Sequence, residues 1–249
     1  MTECCIGAAS PARSAGGLHE ALTADVLLVV LQLADGLFPS GGFAHSFGLE
    51  TYTQSGAVRD AGSVAAFVRA HLEGSAGPAD AVAAAVAARR AAAGDLAAVI
   101  AVDQRLDAMK WVPEFRAASL QMGRQTARIA GTSGDAVTTA LAQAIDDDGT
   151  PGHHAVVFGA ALGRQGAAPE IVAAAYLYST AALLVNAALR LVTLGQTDGQ
   201  RVLTSLRPLI VRLAADAAGA EVEDMWSFTP ALEIAGIRHA TLDGRMFRS

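Results

Sequence analysis

Residues 79–98 read ADAVAAAVAARRAAAGDLAA, and twelve of these twenty positions are alanine. Alanine loses no side-chain entropy in a helix and is the strongest helix former. The segment is therefore expected to be helical on propensity alone, with Gly77-Pro78 punctuating its start, Asp80 in its first turn and Arg89-Arg90 exposed. Asp95 opens the next helix, where Leu96, Val99, Val102 and Leu106 recur at steps of three and four, the spacing of one buried stripe.

The same bias runs through the whole chain: 56 of its 249 residues are alanine, 52% are hydrophobic and only 5% aromatic. The β-branched and aromatic residues that favour strands are scarce, which excludes an all-β architecture, and the apolar content excludes disorder. Charged residues make up 17%, against about 25% in an average soluble domain. Apolar surface must then be covered by folding or by partners.

Outward from this stretch, helices are expected over residues 26–33, 44–55 and 61–73 on the N-terminal side. On the C-terminal side Pro113 and Glu114 suit the first turn of a helix reaching Ala130. Residues 135–145, 151–162, 171–194, 202–218 and 230–239 follow, with 195–199 read as a turn. No internal repeat or long linker intervenes, so the expectation is one all-α domain over residues 24–249, a single-domain helical bundle of about ten helices. Residues 1–23 are expected to be a flexible leader.

Residues 171–189 carry no charge and nearly match the ~20 residues needed to cross a bilayer. Seven are alanine and three are Ser179, Thr180 and Asn186, which suits a buried helix or a close helix–helix contact better than a membrane span. The formal charge is −6, and of 18 basic residues only Lys110 is a lysine. An acidic chain without a basic run is a poor ligand for nucleic acid or for an anionic membrane surface. The two cysteines, Cys4 and Cys5, are adjacent and exclude a disulfide-stapled secreted fold. The leader lacks the apolar core of a signal peptide, so a cytoplasmic protein is expected.

The phosphate-cradling Gly-x-x-x-x-Gly-Lys-Ser/Thr motif is absent, as are His-Glu-x-x-His, Cys-x-x-Cys and Gly-x-Ser-x-Gly. No catalytic residue and no stably bound cofactor is assigned. Metal ligation has weak candidates only, His153-His154 and Cys4-Cys5, because neighbours on a helix point about 100° apart. Three regions look suited to recognition instead. Phe38, Phe43, His45 and Phe47 surround Pro39-Ser40-Gly41-Gly42, whose glycines permit positive φ or close approach, although the aromatic rings can equally fill the core. The ending Arg245-Met246-Phe247-Arg248 sets an apolar pair between arginines at a chain end that frays unless docked on a partner or on its own domain. On the helix after Pro113, Arg116, Ser119 and Gly123 share one face, which permits close approach of another helix.

Residues 31–35, LQLAD, and 38–50, FPSGGFAHSFGLE, resemble the signature of the UreF family of urease accessory proteins. Supporting stretches lie in the family's order at residues 113–119, 154–159, 190–191 and 194–200, and RMFRS at 245–249 is similar to the family's Arg-Leu-Phe tail. Two departures stand out: Ala240 follows His239 where the family often has Glu, and Met246 replaces Leu, a near-isosteric change.

The resemblance implies an all-α, non-enzymatic scaffold that forms a homodimer, binds UreD (also called UreH), and recruits the GTPase UreG to deliver nickel to apo-urease. Nickel is then cargo passing through the assembled complex. The residues assigned to partner contacts on this basis are Phe43, His45, Glu50, Arg116, Arg190, Gln196, Asp198, His239, Arg245 and Phe247. The alternatives are a chaperone that itself carries nickel at His153, His154 or Cys4-Cys5, and a helical enzyme without a recognised motif.

Overall fold

Side-chain caps and prolines set where the helices begin. Thr23 Oγ1 accepts the Val26 amide, Asp60 forms a capping box with Ser63, and Asp95 and Asp135 accept amides of the turns they precede. Pro113, Pro169 and Pro230 stand at first helical positions, where a missing N–H costs nothing. The computed structural model describes residues 22–249, and among them there are eleven α-helices and no strand. They are α1 (Ala24–Ala34), α2 (Leu49–Gln54), α3 (Ala61–His71), α4 (Val82–Ala92), α5 (Leu96–Asp107), α6 (Pro113–Ala130), α7 (Ala136–Asp146), α8 (His154–Arg164), α9 (Pro169–Leu191), α10 (Gln196–Gly219) and α11 (Pro230–His239). The leader expected over residues 1–23, with Cys4 and Cys5, falls outside the described residues except for Leu22 and Thr23, the latter capping α1.

The alanine-rich α4 is the axis of the bundle. Its residues Val82 to Ala88 are all buried, as are His154 to Gly163 of α8, so these stretches of both helices are surrounded by protein on every side. They cross where Gly159 and Gly163 face Ala84 and Ala88. A Cβ on either glycine would lie 2.1 and 2.3 Å from the Ala84 and Ala88 carbonyl oxygens. Helices α5, α9 and α10 pack around α4, and α6 and α9 around α8, giving one core that runs from Val30 to Phe247. Alanine here serves close approach more than it supplies apolar area. By length and composition α9 could cross a membrane, yet half of its most apolar window is buried against the rest of the chain.

Four expectations are corrected. Gly77-Pro78 does not interrupt the chain: α3 continues through a π-helical segment, Leu72–Ala81, directly into α4. Pro78 has no N–H for the Gly74 carbonyl, and that carbonyl accepts the Phe228 amide instead, at 2.8 Å, while Pro78 O accepts Trp226 N at 3.2 Å. The extended strap before α11 thus completes the widened turn. Residues 44–55 are not one helix, because Phe47 (φ 50°) and Gly48 (φ 84°) adopt left-handed backbone, leaving only a 3₁₀ turn, Gly42–Ala44, ahead of α2.

The helix expected from Pro151 starts at His154. The Asp103 carboxylate accepts the Thr150 hydroxyl and the Gly152 and His153 amides, and Gly152 takes a left-handed φ of 80°, so 150–153 stay outside the helix. Finally, α9 stops at Leu191 and α10 begins at Gln196, so the supposed turn at 195–199 is mostly the first turn of α10. Gly199 is a contact residue there: a Cβ on it would meet Val185 at 3.2 Å.

Candidate functional site

The aromatic loop and the chain's last residues come together. Glu50, at the start of α2, directs its carboxylate inward and accepts the amides of Met246 at 2.7 Å and Phe247 at 3.0 Å. His239, fully buried at the end of α11, links Glu50 (3.0 Å) to Glu114 (2.7 Å), and Arg245 meets the other Glu114 oxygen at 2.9 Å. Burial alone would raise the Glu50 pKa, but the two tail amides and His239 outweigh it and hold the carboxyl below its ordinary range.

Further along, the Arg248 amide donates to Ala44 O at 2.9 Å. Ser249 O accepts from the Phe47 amide at 3.0 Å and from Ser46 Oγ at 2.7 Å, donors that the left-handed Phe47-Gly48 pair turns toward it. His45 Nδ1 meets Ser249 Oγ at 2.9 Å. Arg190 fastens the two segments from the side: its guanidinium lies 4.3 Å from the Phe247 ring centroid and donates to Phe43 O at 2.8 Å.

These placements sort the assigned residues. His45, Glu50, His239 and Phe247 are buried within the chain, so any effect they have on a partner is exerted by holding loop and tail in shape. Phe43 is 76% exposed, and Leu37 of the loop and Met246 of the tail are also exposed. Arg245 and Arg190 lie partly at the surface. Arg116 stands apart in a bidentate pair with Asp107, at 2.7 and 3.2 Å. Gln196 and Asp198 lie in the first turn of α10, where Asp198 pairs with Arg201, and take no part in the loop–tail network. Ala240 is exposed at the end of α11. The small-residue face of α6 is used internally: a Cβ on Gly123 would lie 1.8 Å from Gly152 O, and Ser119 bonds His153 at 3.0 Å.

Both ring nitrogens of His153 are engaged, by Ser119 and by Asp107 at 2.9 Å, which leaves no free lone pair for a metal. Its neighbour His154 points elsewhere, into a cavity of about 210 Å³ whose walls include Gly42, Phe43 and Phe47 of the loop. Deeper in this cavity are Asp80, carried by the π segment, and Lys110, from the turn after α5. The Lys110 ammonium sits 2.7 and 2.8 Å from the two Asp80 oxygens.

His71 and Tyr176 line the same cavity. His71 Nδ1 and His154 Nε2 are buried without a hydrogen-bond partner. Desolvation pushes both rings down to about 4, so they are neutral at pH 7, and pushes the Tyr176 hydroxyl well up. Sequence reading passed over Asp80, Lys110, His71 and Glu114. The only signal available was that a chain rich in arginine keeps one lysine, placed within a few residues of Glu114.

Comparisons with known proteins agree with this architecture. The UreF family model matches residues 58–207. The UreF urease accessory protein of Rhodopseudomonas palustris (strain BisA53) is 36% identical over 238 residues, covering 94% of this chain and 97% of the relative. That of Bacillus sp. (strain TB-90) is 31% identical over 228 residues, 90% of this chain and 99% of the relative. That of Methylobacterium radiotolerans is 36% identical over 212 residues, 85% and 92%. With an all-helical bundle and near end-to-end similarity to such relatives, the chain belongs to the UreF family of urease accessory proteins, whose role is in urease maturation.

Proposed function

We propose that this chain is a non-catalytic, cytoplasmic scaffold that dimerises, binds UreD (UreH) and, with it, recruits and regulates the GTPase UreG for GTP-dependent nickel insertion into apo-urease. The observation that supports this most is the loop–tail assembly. Its backbone donors and acceptors are spent holding loop and tail together, while Phe43, Leu37 and Met246 are left facing water. Exposed large apolar side chains on a rigid frame, rimmed by Arg190 and Arg245, have the composition of an interface anchor.

The polar cavity behind the loop is the part of the fold suited to nickel as cargo, since it places neutral imidazoles beside a carboxylate. Among the described residues no three His, Cys, Asp or Glu side chains already converge on one point, which favours passage over storage. The test is co-expression with UreD and UreG followed by affinity capture and size-exclusion light scattering. The reading expects a complex containing two copies of this chain. A chain that stays monomeric and recovers neither partner contradicts it.

A further inference from the structure

Of the methionines among the described residues, Met246 is the one that faces water. It is 56% exposed, against 7% for Met122 and 4% for Met225, while Met109 is half-buried in the cavity wall. A thioether in contact with water is open to attack on a peroxide, whereas one packed in a core is shielded.

The backbone of the tail keeps this sulfur outside. The Met246 and Phe247 amides are fixed on Glu50 at 2.7 and 3.0 Å, and the Arg248 amide on Ala44 O at 2.9 Å. In this pinned, non-helical segment neighbouring side chains diverge: Phe247 turns into the core beneath the Arg190 guanidinium, and Met246 turns out. Turning Met246 inward would break the amide bonds that order the tail. Together with Phe43 and Leu37, it is one of the large apolar side chains that loop and tail leave exposed. Methionine is among the residues enriched where proteins meet.

We propose that Met246 is a reversible oxidation site through which a peroxide controls partner binding at the loop–tail surface. The inference rests on reading that surface as the recruiting interface. A lone pair of the thioether sulfur attacks the peroxide: an S–O bond forms, the O–O bond breaks, sulfur loses two electrons, and hydrogen peroxide leaves as water. The product sulfoxide is polar and carries a strong acceptor where the thioether was apolar. Burying it against an apolar partner surface strands that acceptor without a donor, so association weakens. The fold is spared, because the tail is held by backbone amides and not by this side chain. A thiol-dependent methionine sulfoxide reductase reverses the step, removing the oxygen as water while two thiols become a disulfide. Assembly shields the sulfur, so the free chain is the form that responds.

The test uses the full chain with Cys4→Ser and Cys5→Ser, which removes competing thiols, treated with hydrogen peroxide. Peptide mass spectrometry should show Met246 oxidised at least tenfold faster than Met122 and Met225. Conversion should leave the melting temperature unchanged, lower capture of UreD at least tenfold, and be undone by methionine sulfoxide reductase. Met246→Leu, compared with its own untreated sample, should show no fall in capture after peroxide. Similar oxidation rates at the three methionines overturn the site. Equal capture before and after conversion, an equal fall in Met246→Leu, or loss of the fold on conversion overturns the control of binding. An untreated parent that captures no UreD sinks the interface reading and the control of binding with it, while the oxidation rates still decide the site.

Discussion

Glu50 accepts the Met246 amide at 2.7 Å across 196 residues of sequence, and with this bond the end of the chain becomes part of the loop that precedes α2. The loop–tail unit follows from this contact and from its neighbours at Phe247 and His239.

Glu50→Ala leaves His239 and two amides facing a void. Each buried donor left without its acceptor costs about 1–3 kcal/mol. Urea unfolding should show a loss of that order, and trypsin should cut the released tail at Arg245 and Arg248 faster than in the parent. Unchanged stability would mean that Glu50 does not organise the tail.

Acid should weaken the fold well above the carboxylate range. His45, His71 and His154 are each lowered to about 4 from an ordinary 6.5, chiefly by desolvation. The unfolded chain takes up protons that the folded chain refuses, so this stability is fully present above pH 6.5 and is lost as pH falls toward 4. Each of the two fully buried rings, His71 and His154, contributes up to about 1.4 kcal/mol per pH unit in that window. A urea midpoint that stays constant from pH 7 to pH 5 would be inconsistent with neutral buried rings. His154→Phe should lower the slope by about one proton.

Gly123→Ala should be among the most damaging single-methyl changes, because the new Cβ would meet backbone, Gly152 O at 1.8 Å and His154 N at 2.8 Å, with nothing flexible to yield. A loss of about 3 kcal/mol or more in urea unfolding is expected. Gly219→Ala, with no atom within 4 Å of its Cβ and no positive φ, is the control and should be neutral or slightly stabilising. Similar melting temperatures for the two variants would contradict the close packing of α6 on the 150–153 segment.

Much of the architecture was legible in the residues, and its gaps have physical causes. Proline at a first turn and aspartate at an N-cap act locally, so the start of α6 at Pro113 and the full span of α11 were readable. Pro78 was misread because its helix is rescued by a strap about 150 residues later, which no local rule detects. Gly199 was taken for a turn residue when its role is contact with α9.

At the site, Phe43 and Arg245 could be singled out from type and position. The inward roles of Glu50, His239 and Phe247 depend on pairings across nearly the whole chain. The Asp80–Lys110 pair was hidden because α4 and α5 stand between its members, which lie thirty positions apart in sequence.

Phe43→Arg should leave the melting temperature within a degree or two of the parent, because the ring is mostly in solvent and only its backbone carbonyl is tied, to Arg190. Capture of UreD, or self-association seen by light scattering, should nevertheless fall at least tenfold. Normal assembly would remove Phe43 from the interface.

The most direct test of the scaffold account is Arg245→Ala, scored for both folding and urease activation in cells lacking the parental chain. Its ion pair with Glu114 is partly exposed, so at most about 1 kcal/mol of stability should be lost and the helical spectrum should be unchanged. The account predicts that a chain so little altered in fold nonetheless fails to activate urease and fails to recover UreG. Full activation by Arg245→Ala would contradict the claim that the loop–tail surface recruits the maturation complex.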